Sequence, residues 1–152
     1  MRMRTYSQVL MYIGVTGIFF LDRFCKVAAS FFYHDKQLIP DVLIFSPQQN
    51  EGIAWGIPIT GLFVLLIIAL VLASVLVALT KAYVRRDQFL ILALLLISVG
   101  AFSNLLDRIR FGAVVDYLRF PLLPTANIAD LAITAGVVML AFRLIVHPRR
   151  IG

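Results

Sequence analysis

Residues 62–79 read LFVLLIIALVLASVLVAL, eighteen consecutive positions without a charge, inside an uncharged run that extends from 52 to 80. A helix that crosses the hydrocarbon core of a bilayer needs roughly 20 mostly apolar residues. In lipid every backbone polar group must find its partner within the structure, and a helix satisfies them within a single segment. The stretch is therefore expected to be a spanning helix over about 59–80. Outward from it, residues 5–21 carry no charge, and their apolar pattern continues past Asp22, Arg23 and Lys26. Residues 88–106 are uncharged, and residues 120–142 are interrupted only by Asp130. These segments predict further spans over 7–30, 88–107 and 128–146.

Composition agrees. The 152 residues are 61% hydrophobic and 14% charged, with a mean hydropathy of +0.95. Average globular domains are about 45–50% apolar and about 25% charged. So little polar surface excludes a soluble domain, and disorder requires the opposite composition. The basic start and apolar run resemble a secretory signal, but no small-x-small cleavage site follows, so the first helix is expected to stay as an anchor.

The net charge of +6 could suggest a nucleic-acid partner. Its distribution says otherwise. With the N-terminus inside, the cytoplasmic side holds Arg2, Arg4, Lys81, Arg85, Arg86, Arg143, Arg149 and Arg150 against the single acid Asp87. Arg23, Lys26, Lys36, Arg108, Arg110 and Arg119 face the seven remaining acids outside. This is the excess of inner basic residues that sets membrane orientation. No nucleic-acid partner is expected, and both termini should be cytoplasmic.

Two outer segments, 31–58 and 108–127, are long for so small a chain, and long loops are usually functional. Gln37–Phe45 and Ala113–Leu118 are rich in β-branched and apolar residues, so they should be extended. The expected fold class is an all-α membrane protein, a single domain over 1–152. It has four transmembrane helices and a small extracytoplasmic β element.

Ionisable residues in or beside a span are costly and point to function. Asp22 and Lys26 are four apart, a spacing that pairs them on one helix face. A self-neutralising pair at the outer interface would explain them equally well. Asn104, Asp107 and Arg108 share a face at the end of the third span, where a polar helix end at the water boundary is the alternative. Asp130 sits in the first turn of the fourth span, where the helix dipole favours an acid, and Asn127 is a candidate N-cap. Capping does not explain the second lone acid, Asp116, among Val114, Val115, Tyr117 and Leu118. Two carboxylates brought together cannot easily both ionise, so near neutral pH they share a proton. One can then take a proton from water while the other donates to a carbonyl oxygen, the logic of aspartic proteases. The 14 positions between Asp116 and Asp130 do not by themselves bring the side chains together.

Trp55, Tyr33 and Tyr117 flank spans and fit an interfacial aromatic belt. Cys25, the only cysteine, excludes an internal disulfide and reads as a packing residue. His34 and His147 lie far apart, so neither a metal site nor catalysis is expected of them. Gly100, Gly112 and Gly136 read as ordinary glycines of membrane helices and turns.

The ordered boxes Asn50-Glu-Gly-Ile-Ala-Trp-Gly56, Asn104-Leu-Leu-Asp-Arg108, Gly112-Ala-Val-Val-Asp-Tyr117 and Asn127-Ile-Ala-Asp130 resemble those of the bacterial lipoprotein signal peptidases, or signal peptidase II. The resemblance runs through almost the whole chain. It implies an aspartic endopeptidase of the bacterial inner membrane with its site at the extracytoplasmic face. Such enzymes cleave before the diacylglyceryl-modified cysteine of prolipoproteins and use no metal or organic cofactor. Prolipoprotein substrates and membrane lipids are the implied partners, and a monomer is expected. Matched by motif, the catalytic pair is Asp116 and Asp130. Asp22, Lys26, Asn50, Gly52, Asn104, Asp107, Arg108, Asn127 and Ala129 support or line the site.

The chain also departs from the family pattern. Asp22-Arg-Phe-Cys-Lys26 lacks the usual glutamine and hydroxyl, and Ser103 stands where glycine is common. Ala126 replaces an aromatic residue, and Leu131 replaces a serine. From the residues alone, three alternatives stay open. They are a membrane binding or assembly protein, a proton or ion pathway through Asp22, Asp107 and Asp130, and a relative that binds prolipoproteins without cutting them.

Overall fold

The computed structural model describes residues 2–32, 34–52 and 61–146. Tyr33, Trp55, His147 and residues 53–56 of the first box lie outside the described residues. Among the described residues, four helices are long and apolar enough to cross a membrane. They are α1 (Arg2–Ala29), α2 (Leu62–Val84), α3 (Gln88–Phe111) and α4 (Ile128–Val146). At about 1.5 Å per residue, each reaches across a hydrocarbon core of roughly 30 Å. Their outward faces carry large apolar side chains such as Leu66, Leu70, Val138 and Phe142, as a lipid-facing surface requires.

The sequence places the end of the third span at 107, but α3 continues to Phe111. Gly112 stops it there in the left-handed conformation (φ 75°), its N–H bonded to the Arg108 carbonyl. At the opposite end of the bundle, the turn from α2 to α3 is short. Arg86 N–H bonds the Tyr83 carbonyl and Asp87 N–H bonds the Ala82 carbonyl, closing α2. Asp87 then caps α3 by accepting from Leu90 N–H at 3.1 Å, while Arg143 of α4 holds its other oxygen at 2.8 Å.

α3 and α4 pack the most extensively of the helix pairs. Gly100 and Gly136 make this possible. A Cβ at Gly136 would sit 2.5 Å from the Ala93 carbonyl oxygen, and one at Gly100 would run into the Ala129 carbonyl. Reading these two as ordinary helix glycines was therefore incomplete. They are the contact points that let two backbones meet, the small-residue packing of membrane helices.

The outer segments form a three-stranded antiparallel sheet in the order β1 (Lys36–Ile39), β2 (Leu43–Asn50), β3 (Val114–Arg119). The stretch expected to be one extended segment, Gln37–Phe45, is instead folded into a hairpin. Pro40 and Asp41 turn the chain, with Asp41 at φ 55° and Val42 N–H bonded to the Ile39 carbonyl. Proline fixes the first turn position and aspartate tolerates the left-handed second one. Between the Phe45–Leu118 and Gln48–Asp116 pairings, β2 has one residue more than β3. Pro47, which has no N–H to give a ladder, lies in this bulge.

After β3 the chain loops back. Leu118 and Ala126 exchange backbone hydrogen bonds of 2.8 and 2.9 Å in an isolated antiparallel bridge. That bridge returns Asn127 to the side of β3, at the start of α4. The bonds are all main chain, so an alanine serves at position 126 without an aromatic ring.

Candidate active site

The loop closed by the Leu118–Ala126 bridge carries Asp116 at one end and Asn127 at the other. Asn127 Nδ2 donates to Asp116 Oδ1 at 2.7 Å, and its Oδ1 accepts from Asp130 N–H at 2.8 Å. Asp130 Oδ2 in turn accepts from Asn127 N–H at 3.3 Å. This reciprocal pairing across three positions is a capping box built from asparagine and aspartate. Asn127 thus starts α4 and links the two carboxylates, holding Asp116 through its side chain and Asp130 through its backbone N–H.

The remaining oxygens of the pair are held by neutral amides. Asn50 Nδ2 donates to Asp116 Oδ2 at 3.0 Å, and Asn104 Nδ2 donates to Asp130 Oδ1 at 2.7 Å. Asn50 Oδ1 accepts from Gly52 N–H at 3.1 Å, and Arg108 donates to the Gly52 carbonyl at 2.8 Å, fixing the end of β2 against α3. Asp116 is buried, whereas Asp130 keeps partial exposure. Burial pushes the Asp116 carboxyl up to about 6, with the charge of Asp130 adding to the rise. The Asn50 and Asn127 amides and the charge of Lys26 oppose that rise. A carboxyl in this range gains and loses its proton near neutral pH.

Behind this pair lies a second group of charges with a different chemistry. Asp22, Lys26 and Asp107 are all buried. Lys26 Nζ lies 2.9 Å from Asp22 Oδ2 and 2.8 Å from both Asp107 Oδ2 and Asn104 Oδ1. Arg23 adds a pair with the other oxygen of Asp107. Asp22 accepts from Ser103 Oγ at 2.6 Å, Tyr117 Oη at 3.0 Å and Ala129 N–H at 3.1 Å. The expected four-residue pair on α1 is present, but it is not a surface pair at the interface. It is a buried hub joining α1, α3, α4 and β3. Two carboxylates here are matched by two cations, while among the described residues Asp116 and Asp130 accept only from amides. Opposite charges thus balance the first pair, and neutral donors hold the second.

Every site residue named from the sequence joins this one network. Arg108 reaches Gly52, Asn50 and Asp116; Asn127 leads on to Asp130; Asn104 and Lys26 complete the path to Asp107, Asp22 and the Ala129 N–H.

Tyr117 is a correction. It is 1% exposed rather than part of an aromatic belt, packed against the Phe45 ring with the centroids 5.7 Å apart. Its hydroxyl donates to Asp22 and accepts from Ile128 N–H at 3.2 Å. Burial, with the Asp22 charge adding, pushes the phenol far above its ordinary range, so it stays a donor. Sequence reasoning also missed the parts played by Arg23 and Ser103. The signal was available: Gly100, Ser103, Asn104 and Asp107 follow the i, i+3, i+4, i+7 pattern of one helix face.

The family profile described as "Signal peptidase (SPase) II" matches residues 15–146. The chain belongs to the signal peptidase II family. Curated relatives named lipoprotein signal peptidase agree. That of Chlorobium luteolum is 36% identical over 136 residues, covering 78% of this chain and 81% of the relative. That of Halothermothrix orenii is 35% identical over 139 residues, covering 89% and 94%. Two solved structures described as bacterial membrane enzymes share the fold. One has a TM-score of 0.77 at 22% identity and covers 94% of both chains. The other has a TM-score of 0.73 at 25% identity, covering 89% of this chain and 92% of its own. The family is one of proteases, so this signal peptidase II member is a multi-pass membrane hydrolase.

Proposed function

We propose that this chain is a membrane aspartic endopeptidase that removes signal peptides from prolipoproteins by cutting before the diacylglyceryl-modified cysteine. Family membership supports the cleavage of lipoprotein signal peptides. The aspartic mechanism rests on one observation, that Asn127 holds both carboxylates, Asp116 through its side-chain amide and Asp130 through its backbone N–H.

In this mechanism the ionised member of the pair takes a proton from water, whose oxygen attacks the scissile carbonyl carbon. The protonated member gives its proton to the carbonyl oxygen, forming a tetrahedral diol. The C–N bond then breaks as the leaving amine takes the proton captured from water, and a carboxylate recovers one from the collapsing diol. Asn50, Asn104 and Asn127 hold both carboxylates in place throughout. Asp22, Lys26, Asp107 and Arg108 keep the helices and the end of β2 in register around them, and Ala129 offers its N–H to the same framework.

The uneven spread of basic residues favours cytoplasmic termini, with the sheet and the aspartates at the outer face of the bacterial inner membrane. A diacylated substrate reaches such a site by diffusing in the bilayer.

The test is cleavage of a diacylglyceryl-modified prolipoprotein by purified protein in detergent, read by gel shift and mass spectrometry. Asp116→Asn and Asp130→Asn should each lose about 10²–10⁴-fold in rate, the range for general acid–base groups. An unlipidated substrate should not be cut. Full activity in either variant overturns the paired-aspartate mechanism. A well-folded wild type that cuts nothing overturns the peptidase reading itself.

A further inference from the structure

A cavity of about 560 Å³ lies outside the aspartate pair, between the last turns of α1 and α3 and the edge of the sheet. Val27 of α1, Ser30 just beyond its end, Phe111 of α3 and Pro47 of β2 form part of its wall, and Arg23 and Arg110 line it. Val115, next to Asp116 but on the opposite face of β3, also lines the cavity. The aspartates themselves do not.

Two features of its chemistry stand out. Among the described residues, Arg23 spends only Nη1 on protein acceptors, namely Asp107 and the carbonyl and hydroxyl of Ser103. A guanidinium has five N–H donors, so Nη2 and Nε remain for something else. Arg110 is exposed, rests 5.1 Å from the Phe111 ring centroid, and has no ion pair among the described residues. Charge points the same way. Arg23, Lys26 and Arg110 stand against Asp22 and Asp107, which leaves one positive charge at the cavity.

The position decides the kind of anion. The cavity opens where two membrane-length helices end, which is where lipid headgroups lie in a bilayer, and Val27 and Phe111 in its wall expose apolar side chains. We propose that this cavity binds the phosphodiester headgroup of an anionic phospholipid, with Arg23 and Arg110 as its ligands and the acyl chains lying along α1 and α3. A single phosphodiester charge matches the single unbalanced cation, and a forked guanidinium suits phosphate oxygens. Neither aspartate lines the cavity, so a lipid held there sits apart from the proposed catalytic pair. Because Arg23 also holds Asp107, an occupant of the cavity touches the same charge network that supports Asn104.

The test measures binding and does not depend on peptidase activity. The full chain is reconstituted in nanodiscs of equal phosphatidylglycerol and phosphatidylcholine, and retained lipid is counted by native mass spectrometry. Wild type should enrich phosphatidylglycerol, and Arg110→Ala should lower that enrichment about fivefold, the factor one basic residue contributes at a membrane surface. Lys36→Ala, which removes an exposed outer cation that does not line the cavity, should leave it unchanged. No enrichment by wild type, or an undiminished one in Arg110→Ala, overturns the site. An equal loss in Lys36→Ala means general charge attraction and also overturns it. Displacement of the lipid by free glycerol 3-phosphate at similar concentration would make the ligand a soluble anion and overturn the lipid assignment.

Discussion

Asn127 does two things with one amide: it caps α4 by accepting the N–H of Asp130, and it donates to Asp116. Asn50 has a simpler part, since its Nδ2 stabilises the ionised form of Asp116. A hydrogen bond to a carboxylate favours the charged state, so removing it raises the pKa. Asn50→Ala should therefore shift the Asp116 limb of the pH–rate profile upward from about 6. Measuring kcat/KM from pH 5 to 9 checks this, and a limb that stays put or moves down contradicts the assignment. At this scale the sequence was most legible for polar residues placed where polarity is expensive. Asp22, Lys26, Asn104, Asp107, Asp116 and Asp130 each stood out against an apolar background. Tyr117 did not, because a tyrosine beside a span has an ordinary explanation in the aromatic belt and its inward turn depends on strand register. Arg23 and Ser103 touch each other at 3.3–3.4 Å across α1 and α3, and only the folded chain brings those two positions together.

At the scale of elements, apolar run length was enough to find the four helices, because the bilayer sets their length independently of the tertiary fold. The strands were legible in part. Ala113–Leu118 was read close to β3, but the hairpin in 37–45 turned on the positive φ of Asp41, which a Pro-Asp pair permits without dictating. The glycines of α3 and α4 were not legible, since their role depends on which faces meet. A methyl at Gly100 would collide with the Ala129 carbonyl, one residue from Asp130. Gly100→Ala should thus push apart α3 and α4 where Asn104 meets Asp130. We expect thermal stability in detergent to drop and activity to fall at least about tenfold, because sub-ångström displacements of reacting groups are costly. Gly112→Ala, with open space around its Cβ, should cost stability through backbone strain and leave the α3–α4 contact intact. Equal losses of activity in both variants would argue against the close approach as the cause.

Across the whole molecule, the buried charges tie the bundle to the sheet. Lys26 contacts Asp22 in its own helix and Asp107 and Asn104 in α3, while Asp22 reaches β3 and α4 through Tyr117 and Ala129. Removing one partner strands buried charge and costs roughly 3–5 kcal/mol. Lys26→Met should accordingly destabilise the fold by about that amount, measured as a loss in unfolding free energy in mixed micelles. Restoring neutrality by pairing it with Asp107→Asn should recover part of the loss. A loss below about 1 kcal/mol would place the hub in the class of weak surface pairs. The sequence revealed the charges and the Asp22–Lys26 spacing but not the distances between elements, where the partners lie 78 to 107 positions apart along the chain.

The hub also bears on how the protein is made. Synthesis proceeds from the N-terminus, so α1 emerges before α3 can supply Asp107 or Asn104. An unpaired charge makes insertion of a nascent helix unfavourable. Asp22 and Lys26, one helical turn apart, give α1 a counterion within its own sequence during that interval. The pair that later anchors the finished bundle is therefore also what lets its first helix enter the bilayer alone.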